Sequence, residues 1–236
     1  MDTMVIALIL SGGTGSRVGT DIPKQYISVD NKPLIMYSME VLLKHPQIDA
    51  VQVVADEAWH ETLIAEIDAI DLEEKFRGFS QPGDNRQLSI YNGLCDIRTY
   101  ASDDDIVFVH DAARPNITSN MIDSYIEAMA GFDGLMPVLP MKDTVYLSIN
   151  GDKVDELLNR EQVVAGQAPE LFLLGKYYNA NKALLPDKIC KIKGSTEPAV
   201  LAGMNIAIVP GDENNFKITT MTDLDRFRNM ISKKRV

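Results

Sequence analysis

Residues 5–25 read VIALILSGGTGSRVGTDIPKQ, an apolar run that leads directly into a glycine-rich segment with two cationic side chains, Arg17 and Lys24. Glycine lets the backbone adopt a positive φ and approach a ligand closely, so that successive N–H groups can point at anionic oxygens. Arg17 and Lys24 add the positive charge that neutral amides lack. The stretch therefore predicts a β-strand followed by a turn that binds a polyphosphate.

The spacing of this segment disfavours two common phosphate-binding motifs. From Gly13 it reads G-x-G-x-x-V-G, so Val18 stands where the dinucleotide-binding fingerprint requires its third glycine. The chain also lacks the Gly-Lys-Ser/Thr triplet of a P-loop. A dehydrogenase and a P-loop NTPase are therefore disfavoured, whereas a plain connection between a strand and a helix remains open.

The composition is that of an ordinary globular protein, with 236 residues of which 45% are hydrophobic and 24% charged. No stretch rich in proline, glycine or serine divides the chain as a linker would, so residues 1–236 are expected to form a single domain. Cys95 and Cys190 are too few for a disulfide framework and lie in no metal-binding motif. No metal-ligating residues are therefore expected.

The charge and hydropathy of the chain limit its partners. The formal net charge of −11 disfavours a protein that coats nucleic acid or an anionic membrane, so neither is expected as a partner. No apolar run is long enough to span a membrane, and the pattern of a signal peptide is absent. The expected location is the cytoplasm.

Apolar, β-branched runs alternate with helical patterns along the chain, which predicts an α/β fold with a mainly parallel sheet. The predicted strands are residues 5–10, 50–55, 106–109, 135–139 and 206–209. In such sheets ligands bind beyond the carboxyl ends of the strands. The segments that follow Leu10 and Val109 are therefore expected to line one crevice.

Residues 140–169 interrupt this alternation. An apolar stretch from Thr144 to Ile149 is followed by the turn signal Asn150-Gly151-Asp152 and by a second extended or irregular stretch. The pattern predicts a projecting hairpin. Because an isolated two-stranded arm is marginally stable in water, it is expected to pack on something else.

A second polar cluster, GDNRQLS at residues 83–89, precedes a helical pattern. Gly83 and Asp84 can form a tight turn, Arg86 can reach a phosphate, and Ser89 can bind a base or a sugar. The alternative is that Asp84 is simply the N-cap of the helix and Arg86 is a solvated residue of its first turn.

A third cluster, HDAARP at residues 110–115, follows a predicted strand. Asp111 and Arg114 can together hold either a hydroxyl and a phosphate, or a metal ion and a phosphate. The alternative is a salt bridge between them that closes the turn before Pro115. His110 can be read as a base or as a structural imidazole. Two further cationic segments, Asn159-Arg160 and FKIT at residues 216–219, would each be read as surface charge if they stood alone.

Taken together, LSGGTGSR with PKQ, GDNRQLS, HDAARP, an Asn-Arg pair before Gly-Gln-x-Pro, and FKIT-x-MTDL resemble the motif series of the cytidylyltransferases that make CDP-methylerythritol and CDP-ribitol. The resemblance extends from about Val5 to Met230. Because five motifs occur in the same order and separation, the series is far more specific than any one of them.

The resemblance implies a Rossmann-like three-layer α/β fold with a mainly parallel central sheet, forming one nucleotidyltransferase domain over residues 1–236. It also implies a dimerisation β-arm at about 140–169 that crosses into a partner subunit to form a homodimer. The substrates it implies are CTP and an alditol phosphate, with Mg²⁺ bound mainly through the CTP phosphates.

The resemblance also assigns roles to individual residues. Those assigned to catalysis are Arg17, Lys24, Arg160 and Lys217. Those assigned to the nucleotide are Leu10, Ser11, Gly12, Gly13, Thr14, Gly15, Gly83, Asp84, Arg86, Ser89 and Ala112. Those assigned to the acceptor substrate are Asp111, Arg114, Thr144, Arg160 and Lys217, with Arg160 reaching the neighbouring subunit's site.

Two branches of the family compete for this sequence. The GTGSR segment, the Gly-Gln pair before Pro169 and the KITT segment are closer to the ribitol-phosphate enzymes, whereas HDAARP is closer to the methylerythritol enzymes. We favour D-ribitol 5-phosphate, which would give CDP-ribitol and pyrophosphate for teichoic acid or capsule synthesis. The alternatives are a methylerythritol-phosphate enzyme of isoprenoid synthesis and a non-catalytic nucleotide-binding module.

Two departures from the family pattern concern the acceptor pocket. Residues 195–198 read STEP where relatives carry a Thr-Asp pair, so a carboxylate is missing or shifted by one position. Ala168 stands where the methylerythritol branch usually has threonine.

Overall fold

The computed structural model describes residues 3–13, 22–71 and 74–234. The strands within these ranges are β1 (Val5–Leu10), β2 (Ser28–Val29), β3 (Lys32–Pro33), β4 (Ala50–Val54), β5 (Phe76–Ser80), β6 (Ile106–Asp111), β7 (Gly134–Pro140), β8 (Val145–Leu147), β9 (Glu156–Leu158), β10 (Val164–Gly166), β11 (Glu170–Leu173) and β12 (Ile206–Pro210). The α-helices are α1 (Leu34–Lys44), α2 (His60–Ile67), α3 (Arg86–Ile97), α4 (Ser119–Ala128), α5 (Leu174–Lys182), α6 (Glu197–Leu201) and α7 (Met221–Lys234).

Eight of the described strands form one central sheet. Its main path runs β10-β7-β11-β6-β1-β4-β5, and β12 also pairs with β7. The pairs β1–β4, β1–β6, β4–β5 and β7–β12 are parallel, whereas β11 and β10 run antiparallel to their neighbours. The mainly parallel sheet expected from the sequence is confirmed.

Helices cover both faces of this sheet because successive side chains of a strand point to opposite sides. On β1, Ala7 and Ile9 pack with residues of α1, α2 and α4, whereas Ile6 and Leu8 pack with residues of α3 and α5. Full burial of one such aliphatic side chain contributes about 1.5–3 kcal/mol. The three-layer arrangement is therefore the direct consequence of strands that are apolar on both faces.

One glycine sets the distance between α3 and β1. A Cβ atom on Gly93 would lie 2.5 Å from Cδ1 of Leu8, closer than packed atoms can approach. The helix can thus lie directly on the central strand. Its first residue, Arg86, is thereby brought to the end of the sheet where β1 stops.

The segment between β7 and β11 contains the predicted hairpin. β8 and β9 pair antiparallel, with Tyr146 opposite Leu157, and form a small sheet separate from the central one. β10 then returns the chain to β7. In the described ranges, no helix is both long and apolar enough to span a membrane.

Candidate active site

The cleft that unites the sequence motifs lies at the carboxyl ends of β1 and β6, where Leu10 and Asp111 are paired in register. Its volume is about 410 Å³. The residues that line it are Leu10, Gly12, Gly13, Lys24, Gln25, Gly83, Asp84, Asn85, Arg86, Ser89, Asp111, Ala113 and Lys217. Four segments that are far apart in the sequence therefore meet where the topology of the sheet predicts a ligand.

Most described residues that the resemblance assigned to substrates lie in or beside this cleft. Ser11 and Ala112 are buried next to it, and the Ala112 N–H donates to the Leu10 carbonyl oxygen at 3.1 Å. Arg114 lies behind Asp111, and its Nη1 donates to the Asn215 carbonyl oxygen at 2.6 Å. Thr14, Gly15 and Arg17 lie outside the described residues.

In the described part of the glycine-rich turn, the two glycines differ in why glycine is needed. Neither Gly12 nor Gly13 has a positive φ, so the expectation of a left-handed backbone is wrong at these two residues. A Cβ atom on Gly12 would instead lie 2.8 Å from Cβ of Pro82, whereas one on Gly13 would meet no atom of the described residues within 4 Å. Glycine at position 12 is therefore required for close packing of two loops.

The second motif forms the N-terminal turn of α3. The N-cap is Asn85, whose side chain accepts the Leu88 N–H at 2.8 Å, so the alternative that assigned this role to Asp84 is wrong. The Ser89 hydroxyl accepts the Gly83 N–H at 3.0 Å and donates to the Asn85 carbonyl oxygen at 3.0 Å. Ser89 thus holds the turn that presents its backbone to the cleft.

Asp111, the last residue of β6, is the centre of a cluster of cations. Its Oδ1 accepts from Arg86 Nε at 3.1 Å and Nη2 at 2.9 Å, and Lys217 Nζ lies 2.9 Å from Oδ2. Arg114 Nε is farther from Oδ2, at 3.6 Å. The alternative salt bridge between Asp111 and Arg114 is therefore present, but Arg86 and Lys217 are closer partners.

The electrostatics keep Asp111 ionised. Burial by itself would raise the pKa of this carboxyl, but the positive charges of Arg86, Lys217 and Arg114 outweigh burial and hold its pKa far below the usual range. The carboxylate in turn fixes the directions of Arg86 and Lys217. One buried anion therefore links the cation of the second motif to the cation of the C-terminal motif.

The backbone beside Lys217 is fixed by contacts with the third motif. The Ile218 N–H donates to the Ala113 carbonyl oxygen at 2.8 Å, and the Ile218 side chain is fully buried against residues that include Leu224 and Phe227 of α7. Because Ile218 is held on both sides, Lys217 faces Asp111.

A second buried carboxylate, Glu170, was missed by the sequence analysis. Its Oε1 accepts the Thr196 hydroxyl at 3.1 Å, the Ser195 hydroxyl donates to its Oε2, and Arg86 Nη2 lies 3.9 Å from Oε2. Burial raises its pKa, and the nearby charge of Arg86 opposes this shift. The available signal was a charged residue at the start of an apolar run, Glu170–Leu173.

The residues flagged as a departure from the family pattern therefore have a local explanation. Ser195 and Thr196 are buried and both donate to Glu170, whereas Glu197 is exposed and accepts the Lys193 N–H at 2.9 Å. The carboxylate that packs against this segment comes from β11 rather than from the segment itself.

His110 has a structural environment. It is fully buried, and its Nε2–H donates to the Arg114 carbonyl oxygen at 3.0 Å. Burial lowers its pKa to about 4, so the imidazole is neutral at physiological pH. The structural interpretation of His110 is therefore favoured over that of a base.

Thr144 and Arg160 lie on the arm and do not line the cleft of their own chain. Both are exposed, and Arg160 Nη1 donates to the Lys142 carbonyl oxygen at 3.0 Å. The structure of one chain thus does not unite them with Asp111 and Lys217.

Comparison with known proteins gives the family. The sequence profile described as IspD, 2-C-methyl-D-erythritol 4-phosphate cytidylyltransferase, matches residues 5–233. A ribitol-5-phosphate cytidylyltransferase from Vibrio parahaemolyticus is 30% identical over 229 residues, which cover 97% of this chain and 96% of the relative.

Two further comparisons concern how much of a relative this chain spans and how closely its fold matches a solved structure. A bifunctional enzyme IspD/IspF from Granulibacter bethesdensis is 34% identical, and the match covers 97% of this chain but 56% of that enzyme. The crystal structure of 4-diphosphocytidyl-2C-methyl-D-erythritol synthase from Anaerococcus prevotii superposes with a TM-score of 0.81 at 22% identity, covering 98% of this chain and 96% of that one. The chain belongs to the IspD cytidylyltransferase family, as its motif series led us to expect.

Proposed function

We propose that this protein transfers CMP from CTP to an alditol phosphate, D-ribitol 5-phosphate, and releases pyrophosphate. The observation that carries the proposal is one cleft in which Asp111 holds Arg86 and Lys217 at 2.9 Å and which Gly12, Gly13 and Lys24 also line. Such a cleft suits two anionic substrates that must be brought together. Family membership and the relatives named for this activity support the choice.

The reaction proposed is an in-line attack by an oxygen of the acceptor phosphate on the α-phosphorus of CTP. A P–O bond forms to the acceptor, and the bond to the pyrophosphate leaving group breaks. The acceptor phosphate is already ionised at neutral pH, so no general base is required. This agrees with a neutral, buried His110 that takes no part in proton transfer.

The main demand of this reaction is electrostatic, since two polyanions meet and charge develops on the leaving group. Lys24 lines the cleft and is proposed to stabilise the α-phosphate and the pyrophosphate. Arg17, which lies outside the described residues, is proposed to share this role. The turn around Gly12, together with Thr14 and Gly15, is proposed to hold the triphosphate.

The nucleotide is proposed to enter as its magnesium complex. Within the described ranges, no group of His, Cys, Asp and Glu side chains could form a metal site, and the Asp111 carboxylate is already held by cations. These residues fit an ion that is bound by phosphates and water rather than by a protein cage. When bound, the ion offsets part of the triphosphate charge.

The two sides of the cleft are proposed to bind different parts of the substrates. The turn at Gly83 and Asp84, with Arg86, is proposed to bind cytosine and ribose, since these residues line the cleft and can offer hydrogen-bonding groups to a base or a sugar. Lys217 and Arg114 are proposed to hold the acceptor phosphate. Asp111 would then orient both of these cations and accept a hydrogen bond from a hydroxyl group of the alditol phosphate.

The arm is proposed to cross to a second copy of the chain and form a homodimer. Its apolar side chains are unusually exposed, including Ile149 at 73% and Leu157 at 62% of full exposure. A monomer that leaves such residues in water is disfavoured. Crossing would also bring Arg160 and Thr144 to the partner's acceptor site, which explains why neither lines the cleft of its own chain.

The proposal is tested by measuring pyrophosphate release with CTP and, in turn, ribitol, methylerythritol, arabinitol and glycerol phosphates. We expect release with D-ribitol 5-phosphate at the highest kcat/KM. Faster turnover of the methylerythritol phosphate would assign the protein to isoprenoid synthesis instead. CTP binding without release for any acceptor would identify a nucleotide-binding module, and a preference for UTP would contradict the cytidylyl specificity.

A further inference from the structure

Gln25 is a buried glutamine whose side chain holds the glycine-rich turn, and no role was assigned to it from the sequence. Its side chain amide Nε2 donates to the Ser11 carbonyl oxygen at 2.6 Å and to the Gly13 carbonyl oxygen at 2.7 Å. The residue is 4% exposed. Both partners are acceptors, so only the NH₂ group of the amide can face them, and its two hydrogens match the two oxygens.

The geometry points to Gln25 as a positioning residue for the triphosphate site, an inference that rests on the proposed function. Within a peptide group the C=O and the next N–H point in opposite directions. A Ser11 carbonyl that is turned toward Gln25 therefore directs the Gly12 N–H the other way. Without the amide, the Gly13 oxygen would be free to rotate toward the cleft and face phosphate oxygens, whereas the Ser11 oxygen would keep only the Tyr26 hydroxyl, which donates to it at 3.2 Å.

The neighbouring residues strengthen this clamp, which we define as Gln25 with Ser11 and Gly13. Tyr26 also binds the turn, because the Ser11 hydroxyl donates to the Tyr26 hydroxyl oxygen at 2.8 Å. The Tyr26 ring in turn stacks on Trp59 with a centroid separation of 4.0 Å. Lys24 directly precedes Gln25, so the clamp also fixes where this proposed catalytic cation stands relative to the turn.

The test uses Gln25→Met, which keeps the length of the side chain but removes both donors and adds no charge. Binding of magnesium-CTP and of magnesium tripolyphosphate is measured by calorimetry without acceptor, and KM is measured for each substrate. Because the Gly13 carbonyl loses the amide and the buried Ser11 carbonyl keeps only the Tyr26 hydroxyl, we expect Kd for both ligands to rise about 10- to 100-fold. KM for the alditol phosphate is expected to change by no more than about twofold.

Gln52→Met is the matched control. Gln52 is 3% exposed, lies in β4 and donates to the Ser80 hydroxyl at 3.0 Å, but it does not line the cleft. The Gln52→Met variant is expected to have a lower Tm than the wild type, while its Kd for CTP stays within about twofold of the wild-type value. If Gln25→Met does not fold, Gln25→Asn replaces it, since its amide is one methylene too short to reach both oxygens.

Three results would overturn the inference: an unchanged Kd for CTP and tripolyphosphate in a folded Gln25 variant, an equal weakening in Gln52→Met, or no binding of either ligand by the wild type. A wild type that binds CTP but releases no pyrophosphate with any acceptor would refute the proposed function alone. The Kd comparison would still decide the role of Gln25.

Discussion

Replacing Asp111 by asparagine removes the negative charge that lies closest to the cations of the cluster. The substitution keeps the size of the side chain, but Arg86 and Lys217 each lose a contact of 2.9 Å, and Arg86 keeps only the more distant Glu170, at 3.9 Å. Removing one partner of a buried ion pair costs about 3–5 kcal/mol. Because the Lys217 side chain is 34% exposed and partly screened, we take the lower end, about 3 kcal/mol at pH 7.

This loss has a defined pH dependence. Since the folded-state pKa of Asp111 lies far below its unfolded value, the carboxylate stabilises the protein above the unfolded pKa, and this stabilisation is lost as the pH falls toward the folded pKa. The unfolded value is about 3.9. The difference in unfolding free energy between wild type and Asp111→Asn should therefore be constant between pH 6 and 8 and shrink below about pH 4.

The assay is urea unfolding of both proteins across this pH range, together with thermal melts at pH 7. A loss of about 3 kcal/mol corresponds to a Tm lower by roughly 6–12 °C for a chain of this size. Asp105→Asn is the control, because Asp105 is also buried but accepts the Met4 and Ser102 N–H groups, far from the cleft. Equal stability of wild type and Asp111→Asn at pH 7, or a difference that does not change with pH, would refute the reasoning.

Three further predictions concern other parts of the site. Lys24→Ala should lower kcat by about 10²- to 10³-fold while the circular dichroism spectrum stays native, the range for losing one preorganised donor, and wild-type turnover would contradict this. Arg160→Ala should raise KM for the alditol phosphate more than KM for CTP, and equal effects on both would count against an arm that reaches the partner's site. Gly12→Ala should lower the free energy of unfolding by about 1–3 kcal/mol in thermal melts, because its Cβ would lie 2.8 Å from Pro82. Gly13→Ala should lower it by less than about 0.5 kcal/mol, and equal losses in the two variants would argue against loop packing as the reason for glycine.

The fold was largely predictable from the sequence because its signals are local. Apolar runs predicted β1, β4, β6, β7 and β12, and the helical pattern after the second polar cluster corresponds to α3, Arg86–Ile97, whereas β5, β10 and β11 of the central sheet were not predicted. The meeting of Leu10 and Asp111 followed from a general property of parallel sheets rather than from either motif alone.

The parts that were not predictable depend on contacts between distant residues. Glu170 faces the cluster only because β11 runs antiparallel beside β6, and that pairing has no signature in the residues around position 170. Glycine at position 12 reflects the approach of Pro82, which no local rule indicates. Thr144 and Arg160 stand on an arm that we propose crosses to a second chain, so their proposed role lies beyond the structure of one chain.

The central claim is that one triphosphate lies in the cleft between the glycine-rich turn and α3. A crystal structure with magnesium and a non-hydrolysable CTP analogue measures this directly, through the distances from Lys24 Nζ and the Gly12 amide nitrogen to the nearest phosphate oxygens. We predict that both lie within about 3.2 Å, with the base against Gly83. A triphosphate bound away from the turn, or an ammonium of Lys24 that points to solvent in the complex, would contradict the account.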